Sequence, residues 1–179
     1  MNDPIFYPAH SFRAQRASLV AGLVLAAMAP GPGAFAADLP AAISADGKVE
    51  LLKLHAEGVQ IYECKVDPAG GSKWQFREPL ATLLKDGKTV GRHFAGPSWE
   101  LASGSAVVGK VDAQAPGATS NDIALLRLNV VETRGKGELD KVTTVLRLDT
   151  KGGVFSGSCD MPGMLHLEPY GADYVFLGN

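Results

Sequence analysis

Turn-forming residues recur along this chain at short intervals, and the runs between them are brief and strand-like. Asp67-Pro68-Ala69-Gly70-Gly71, Asp86-Gly87, Ser103-Gly104, Pro116-Gly117 and Gly135-Lys136-Gly137 each place residues that fix a bend or accept positive φ. They separate runs rich in β-branched, aromatic and other apolar side chains, the pattern of a sheet with many reversals. Within residues 58–66, Gln60, Tyr62, Cys64 and Val66 fall on one face, and Val59, Ile61, Glu63 and Lys65 on the other. Trp74 and Phe76 share a face of residues 73–77. Asp86-Gly87 joins residues 81–85 to 89–94 as a hairpin, and Ser103-Gly104 joins 99–101 to 106–111.

Residues 112–122 read as a loop, and residues 123–132 are so continuously apolar that a central strand buried on both faces is expected. In residues 139–149, Val142, Thr144, Leu146 and Leu148 alternate with Lys141, Thr143, Val145, Arg147 and Asp149, as in a strand with one buried face. Residues 164–168 and 174–177 complete about ten strands. Residues 48–57 and 79–84 fit either a strand or a short helix. The expected fold is therefore all-β: an antiparallel β-sandwich or small β-barrel of about ten short strands, with at most one or two short helices.

The first 36 residues follow a different logic. Arg13 and Arg16 precede an apolar run over residues 19–29, Pro30-Gly31-Pro32-Gly33 interrupts it, and Ala34-Phe35-Ala36 puts small residues at the −3 and −1 positions. This is the pattern of a secretory signal, so residues 1–36 are expected to be cleaved and residues 37–179 to form a single β-rich domain. The apolar run is well short of the roughly 20 residues that cross a bilayer core. No Cys follows it to carry a lipid, and Arg13 and Arg16 are not adjacent, so no twin-arginine signature is present. The expected location is secreted or periplasmic, with no membrane span left after cleavage.

Composition narrows the function classes. The 179 residues are 46% hydrophobic and 20% charged, too apolar and too balanced for a disordered chain. With 17 Lys+Arg against 19 Asp+Glu there is no excess of positive charge for phosphates, so no nucleic-acid partner is expected. Cys64 and Cys159 both follow the signal, and two thiols in an oxidising compartment are expected to pair. Neither sits in a C-x-x-C or beside a His, so the bridge reads as structural.

Motifs with a built-in mechanism are absent: there is no G-x-S-x-G elbow, G-x-G-x-x-G, P-loop, H-E-x-x-H or EF-hand loop. His55, His93 and His166 are far apart and each stands alone. A sheet could still gather them with Glu100 or Asp160 around a metal, although the short ligand spacings that usually mark such sites are missing. The most distinctive text is Gly91-Arg92-His93-Phe94-Ala95-Gly96-Pro97-Ser98-Trp99-Glu100. An accessible Trp99 there could stack on a flat ligand while Arg92, His93 and Glu100 orient it. The plainer alternative makes Phe94 and Trp99 core residues that meet across the Gly-Pro connection.

Several ordered segments also carry a family likeness. Gly58-Val59-Gln60-Ile61-Tyr62-Glu63-Cys64 with Trp74, Phe76 and Pro79, residues 91–99 with Gly104-Ser105, residues 146–153, Cys159 and the closing Tyr170-Gly171-Ala172-Asp173-Tyr174-Val175-Phe176 resemble the secreted family known as domain of unknown function 3455. The resemblance spans about residues 38–177 and implies an exported bacterial or fungal protein, with no reaction, cofactor or catalytic residue to carry over. Some relatives bear dehydrogenase names, which the missing dinucleotide fingerprint does not support.

Two functions follow as expectations. One is non-catalytic binding of a small ligand, glycan or envelope protein, without a cofactor, in an apolar or aromatic pocket involving Trp99. The other is a metal-dependent or acid–base enzyme using His93 and Glu100 with His55 or His166. It requires those groups to meet at a shared point. The oligomeric state is left open.

Overall fold

Asp86 and Gly87 adopt φ of 51° and 73°, the paired positive values that a two-residue hairpin needs, and here the chain reverses between β2 (Ser72–Lys85) and β3 (Lys88–Phe94). Gly104, at φ 84°, turns the chain between β4 (Ser98–Leu101) and β5 (Ala106–Ala115). The computed structural model describes residues 39–68 and 70–179. The expected signal, residues 1–36, lies outside them. The remaining strands are β1 (Val49–Val66), β6 (Leu125–Arg134), β7 (Thr144–Gly152) and β8 (Leu165–Gly178), and one 3-10 turn (Ala41–Ile43) precedes them. Each strand pairs antiparallel with the next, and β8 pairs back onto β1 from Val49↔Gly178 to Glu63↔Leu165, closing the sheet into a barrel.

The protein is thus nearly all β, as its punctuation implies, but with eight strands among the described residues instead of about ten, the longest of them β1, β2 and β8. Residues 48–57 and 79–84 are strand, continuous with their neighbours in β1 and β2. Gly58, Pro79 and Gly171 do not interrupt their strands, because each is paired with a neighbouring strand. A Cβ at Gly58 would lie 2.2 Å from the Leu80 carbonyl oxygen, so glycine permits the close approach of β1 to β2. Pro79 sits where β2 has β1 on one side only, since pairing with β3 begins at Ala81.

Closure also changes the burial pattern. Residues 123–132 are not buried on both faces: Leu126 and Leu128 point into the barrel, whereas Val131 on β6 is 60% exposed. Every barrel strand has an inner and an outer face, however apolar its sequence. Conversely, β7 is covered on both sides. Val145 joins the interior, while Leu146 packs outside the barrel with Val175 and Leu177 beneath Leu39 and Ala45 of the preceding segment. Within the barrel, Leu52, Leu83, Leu101, Val107, Leu139, Val142 and Phe176 form part of one continuous apolar cluster. No helix among the described residues is long and apolar enough to cross a membrane.

Candidate functional site

Alternation along the β3–β4 hairpin decides the fate of its distinctive text. His93 pairs with Trp99 and Arg92 with Glu100, so successive pairs face opposite sides of the sheet. His93 and Trp99 turn inward, 2% and 1% exposed. Arg92 and Glu100 turn outward and pair with each other at 3.0 Å, with the Arg92 guanidinium 4.9 Å from the Phe94 ring. Trp99 therefore does not meet Phe94. It stacks on His93 with centroids 4.7 Å apart and planes 10° apart, and Tyr174 of β8 stands edge-on to it at 5.2 Å. Gly109 of β5 makes room for the indole, since a Cβ there would lie 3.0 Å from Trp99 Cζ3.

These rings separate a filled part of the barrel from an open one. Trp99 also contacts Phe176 of the packed interior at 6.0 Å. On the other side lies a cavity of about 510 Å³, within the range of small-molecule sites. Its walls include Ile123, Leu126, Leu128 and Val111, and its polar lining includes Gln60, Arg147 and Tyr174. Gln60, Trp99 and Tyr174 all line it, and Gln60 Nε2, Trp99 Nε1 and the Tyr174 hydroxyl are buried without a hydrogen-bond partner. Such groups ordinarily find partners when buried, so three together along one cavity form an unmet set of donors.

Electrostatics fix the state of the site. The His93 Nδ1–H donates to the Ser98 carbonyl at 2.8 Å, and a carbonyl can only accept, so the proton is on Nδ1. Burial pushes the imidazole down to about 3, against the Ser98 bond and with help from the charge of Arg147, so the ring is neutral at physiological pH. Burial likewise raises the Tyr170 and Tyr174 hydroxyls above the ordinary phenol range, and Arg147 partly opposes this in both. The Arg147 guanidinium and the Tyr170 hydroxyl lie close to the Tyr174 hydroxyl without reaching hydrogen-bond geometry with it. Arg147 donates through Nε–H to the Ala124 carbonyl at 3.0 Å.

Tyr62 and Phe76, which line the cavity and pack edge to face at 5.9 Å, belong to an aromatic lip beside it. β1 and β2 run past the end of β3, and residues 153–164 fold against them. The Tyr62 hydroxyl donates to the Gly153 carbonyl at 2.7 Å and accepts from the Phe155 N–H at 3.2 Å. Phe155 stacks on His166 at 3.6 Å and packs against Trp74 at 5.6 Å. Cys64 and Cys159 form a disulfide with Cα atoms 5.9 Å apart, tying this segment to β1. The pairing expected from the two thiols is present.

The remaining histidines stay apart. His55 lies on the outer face of β1, its Nδ1 2.8 Å from an Asp173 oxygen. His166 sits at the lip, its Nε2 2.8 Å from Glu168. His93 and Glu100 are on opposite faces, so the structure does not bring His55, His93, His166 and Glu100 to a shared point. Among the described residues no three His, Cys, Asp or Glu side chains gather as metal ligands.

Sequence reasoning placed His93 and Trp99 among the candidates but missed Gln60, Arg147 and Tyr174. A signal existed for Arg147: it shares a face with Val145, and an inward Val145 requires an inward Arg147. No curated protein and no solved structure matches the chain. One family does, over residues 44–178, in agreement with the likeness carried by the Gly58–Cys64 text and the closing Tyr170–Phe176 segment: the chain belongs to the family described as protein of unknown function (DUF3455).

Proposed function

We propose that this chain is an exported, non-catalytic binding protein that holds a small, largely apolar molecule inside its barrel. The observation that carries the reading is the cavity of about 510 Å³ along which Gln60 Nε2, Trp99 Nε1 and the Tyr174 hydroxyl are buried without partners. Unpaired buried donors cost roughly 1–3 kcal/mol each, a cost that a ligand able to accept from them would offset. Of the four ligand-binding candidates, His93 and Trp99 line this cavity, while Arg92 and Glu100 face away from it and pair with each other. The Arg13/Arg16 leader pattern and the Cys64–Cys159 bridge support a secreted or periplasmic location, where disulfides persist.

The test uses a neutral apolar dye, N-phenyl-1-naphthylamine, whose fluorescence rises in a dry site. The protein should bind it saturably at one site. Leu126→Trp, which fills the cavity from its wall, should weaken binding by at least about tenfold while the melting temperature is kept, because the cavity offers room for the larger side chain. Saturable binding that Leu126→Trp leaves unchanged would place the dye elsewhere and reject the barrel interior as the site.

A further inference from the structure

The chemistry of the cavity points to the head group it receives. Among the described residues Arg147 takes part in no ion pair, although each of the other arginines, Arg77, Arg92, Arg127 and Arg134, has a carboxylate partner. Its hydrogen bond to Ala124 runs through Nε, and Nε is only one part of a planar fork of donors. The same region holds the Trp99 N–H, which can only donate, and the unpartnered Gln60 amide nitrogen and Tyr174 hydroxyl. His93 adds no second positive charge, being neutral with its Nδ1–H committed to Ser98. The one carboxylate along the lining, Glu78, is held by Arg77 at 3.0 Å. Donors and an unpaired cation thus stand against aliphatic walls.

On these grounds, and resting on the binding reading above, we infer that the barrel accepts a monocarboxylate with an apolar body, its head directed inward to Arg147 and the donors of Trp99 and Tyr174. A carboxylate accepts from all of these groups and matches the guanidinium fork in two parallel bonds. An alcohol or amine of the same body leaves the charge of Arg147 unanswered. Leu126, Leu128, Ile123 and Val154 then enclose the apolar remainder toward the lip.

Two matched pairs test the head group without prescribing the shape of the body: decanoate against decanol, and 2-naphthoate against 2-naphthol. Each displaces N-phenyl-1-naphthylamine from the full chain at neutral pH. In at least one pair the carboxylate should compete at least about tenfold better than its neutral match, the scale of a charge-assisted hydrogen bond in a sheltered site. Arg147→Met should abolish that ratio while the neutral member still displaces the dye, and the Arg77→Gln, Glu78→Gln double variant, which removes the ion pair of the lining without changing its net charge, should preserve it. If Arg147→Met fails to fold, the wild-type ratio and its persistence in the Arg77→Gln, Glu78→Gln double variant decide the question. Equal competition by both members of each pair overturns the carboxylate assignment while leaving the cavity reading intact. A ratio erased by the Arg77→Gln, Glu78→Gln double variant overturns the inward orientation. Failure of the dye itself to bind the barrel overturns both.

Discussion

Tyr174 carries its hydroxyl into the barrel wall, where burial holds the proton on and no hydrogen bond meets it. A buried tyrosine that donates a good hydrogen bond loses about 1 kcal/mol on conversion to phenylalanine. Tyr174→Phe should instead leave the unfolding free energy unchanged or raise it by up to about 1 kcal/mol, read from urea denaturation without ligand. A clear loss would show that the hydroxyl is satisfied in the empty protein. His93 gives a second test, through pH. Its imidazole titrates near 6.5 when unfolded and about 3 when folded, because burial penalises the charged ring. Below about pH 6.5 only the unfolded chain takes up this proton, so the neutral-state stability is lost progressively as pH falls toward 3, at about 1.4 kcal/mol per unit. His93→Asn keeps an amide that can donate to Ser98 but does not titrate. Its stability should fall less steeply between pH 6 and pH 4, by about one proton in slope, in denaturation curves at each pH. Parallel slopes would mean that His93 protonates as readily in the fold as outside it.

Among the elements, the long β1–β2 pair and the segment over residues 153–164 form the part most dependent on a covalent tie. The disulfide joins residues 95 apart in sequence, and a loop of that size corresponds to about 4–5 kcal/mol in the chain-entropy view before strain is subtracted. The Cys64→Ser, Cys159→Ser double variant should lose about 2–5 kcal/mol of stability. Amide exchange should accelerate first over residues 154–164, whose backbone bonds to β1 and β2 lie beside the bridge, as in Trp74 N–H to Gly157 and Cys159 N–H to Ser72. Uniform acceleration through β3–β6 would show that the lip does not open separately. At this scale the sequence is legible where turns are local. Asp86-Gly87 and Ser103-Gly104 carry their own conformational reason and fall at the observed reversals. It is less legible at Gly58, because a glycine that admits a neighbouring backbone and one that starts a turn are the same letter.

At the scale of the molecule, the all-β class follows from periodicity, but the cavity does not. Which part of a closed barrel is filled depends on side chains from many strands meeting at one level, as His93, Trp99 and Tyr174 do from β3, β4 and β8. The inward placement of His93 and Trp99 is readable within one hairpin, whereas the conjunction of Gln60, Arg147 and Tyr174 requires the register of β1, β7 and β8. The same limit explains Leu146, which looks like the inner residue of a one-faced strand until the preceding segment is laid over the outside.

The pairing of β1 with β8 also has a consequence in time. The strand that begins the barrel, Val49–Val66, finds one of its two neighbours in Leu165–Gly178. A chain threaded amino end first through a narrow channel would emerge with β1 ready and its closing partner still on the far side. The hairpins of β2–β5 could form early, since their contacts are local, but the ring could not shut until the last strand arrived. In any chain that emerges in this order the barrel, and the chamber within it, closes last, when β8 reaches β1.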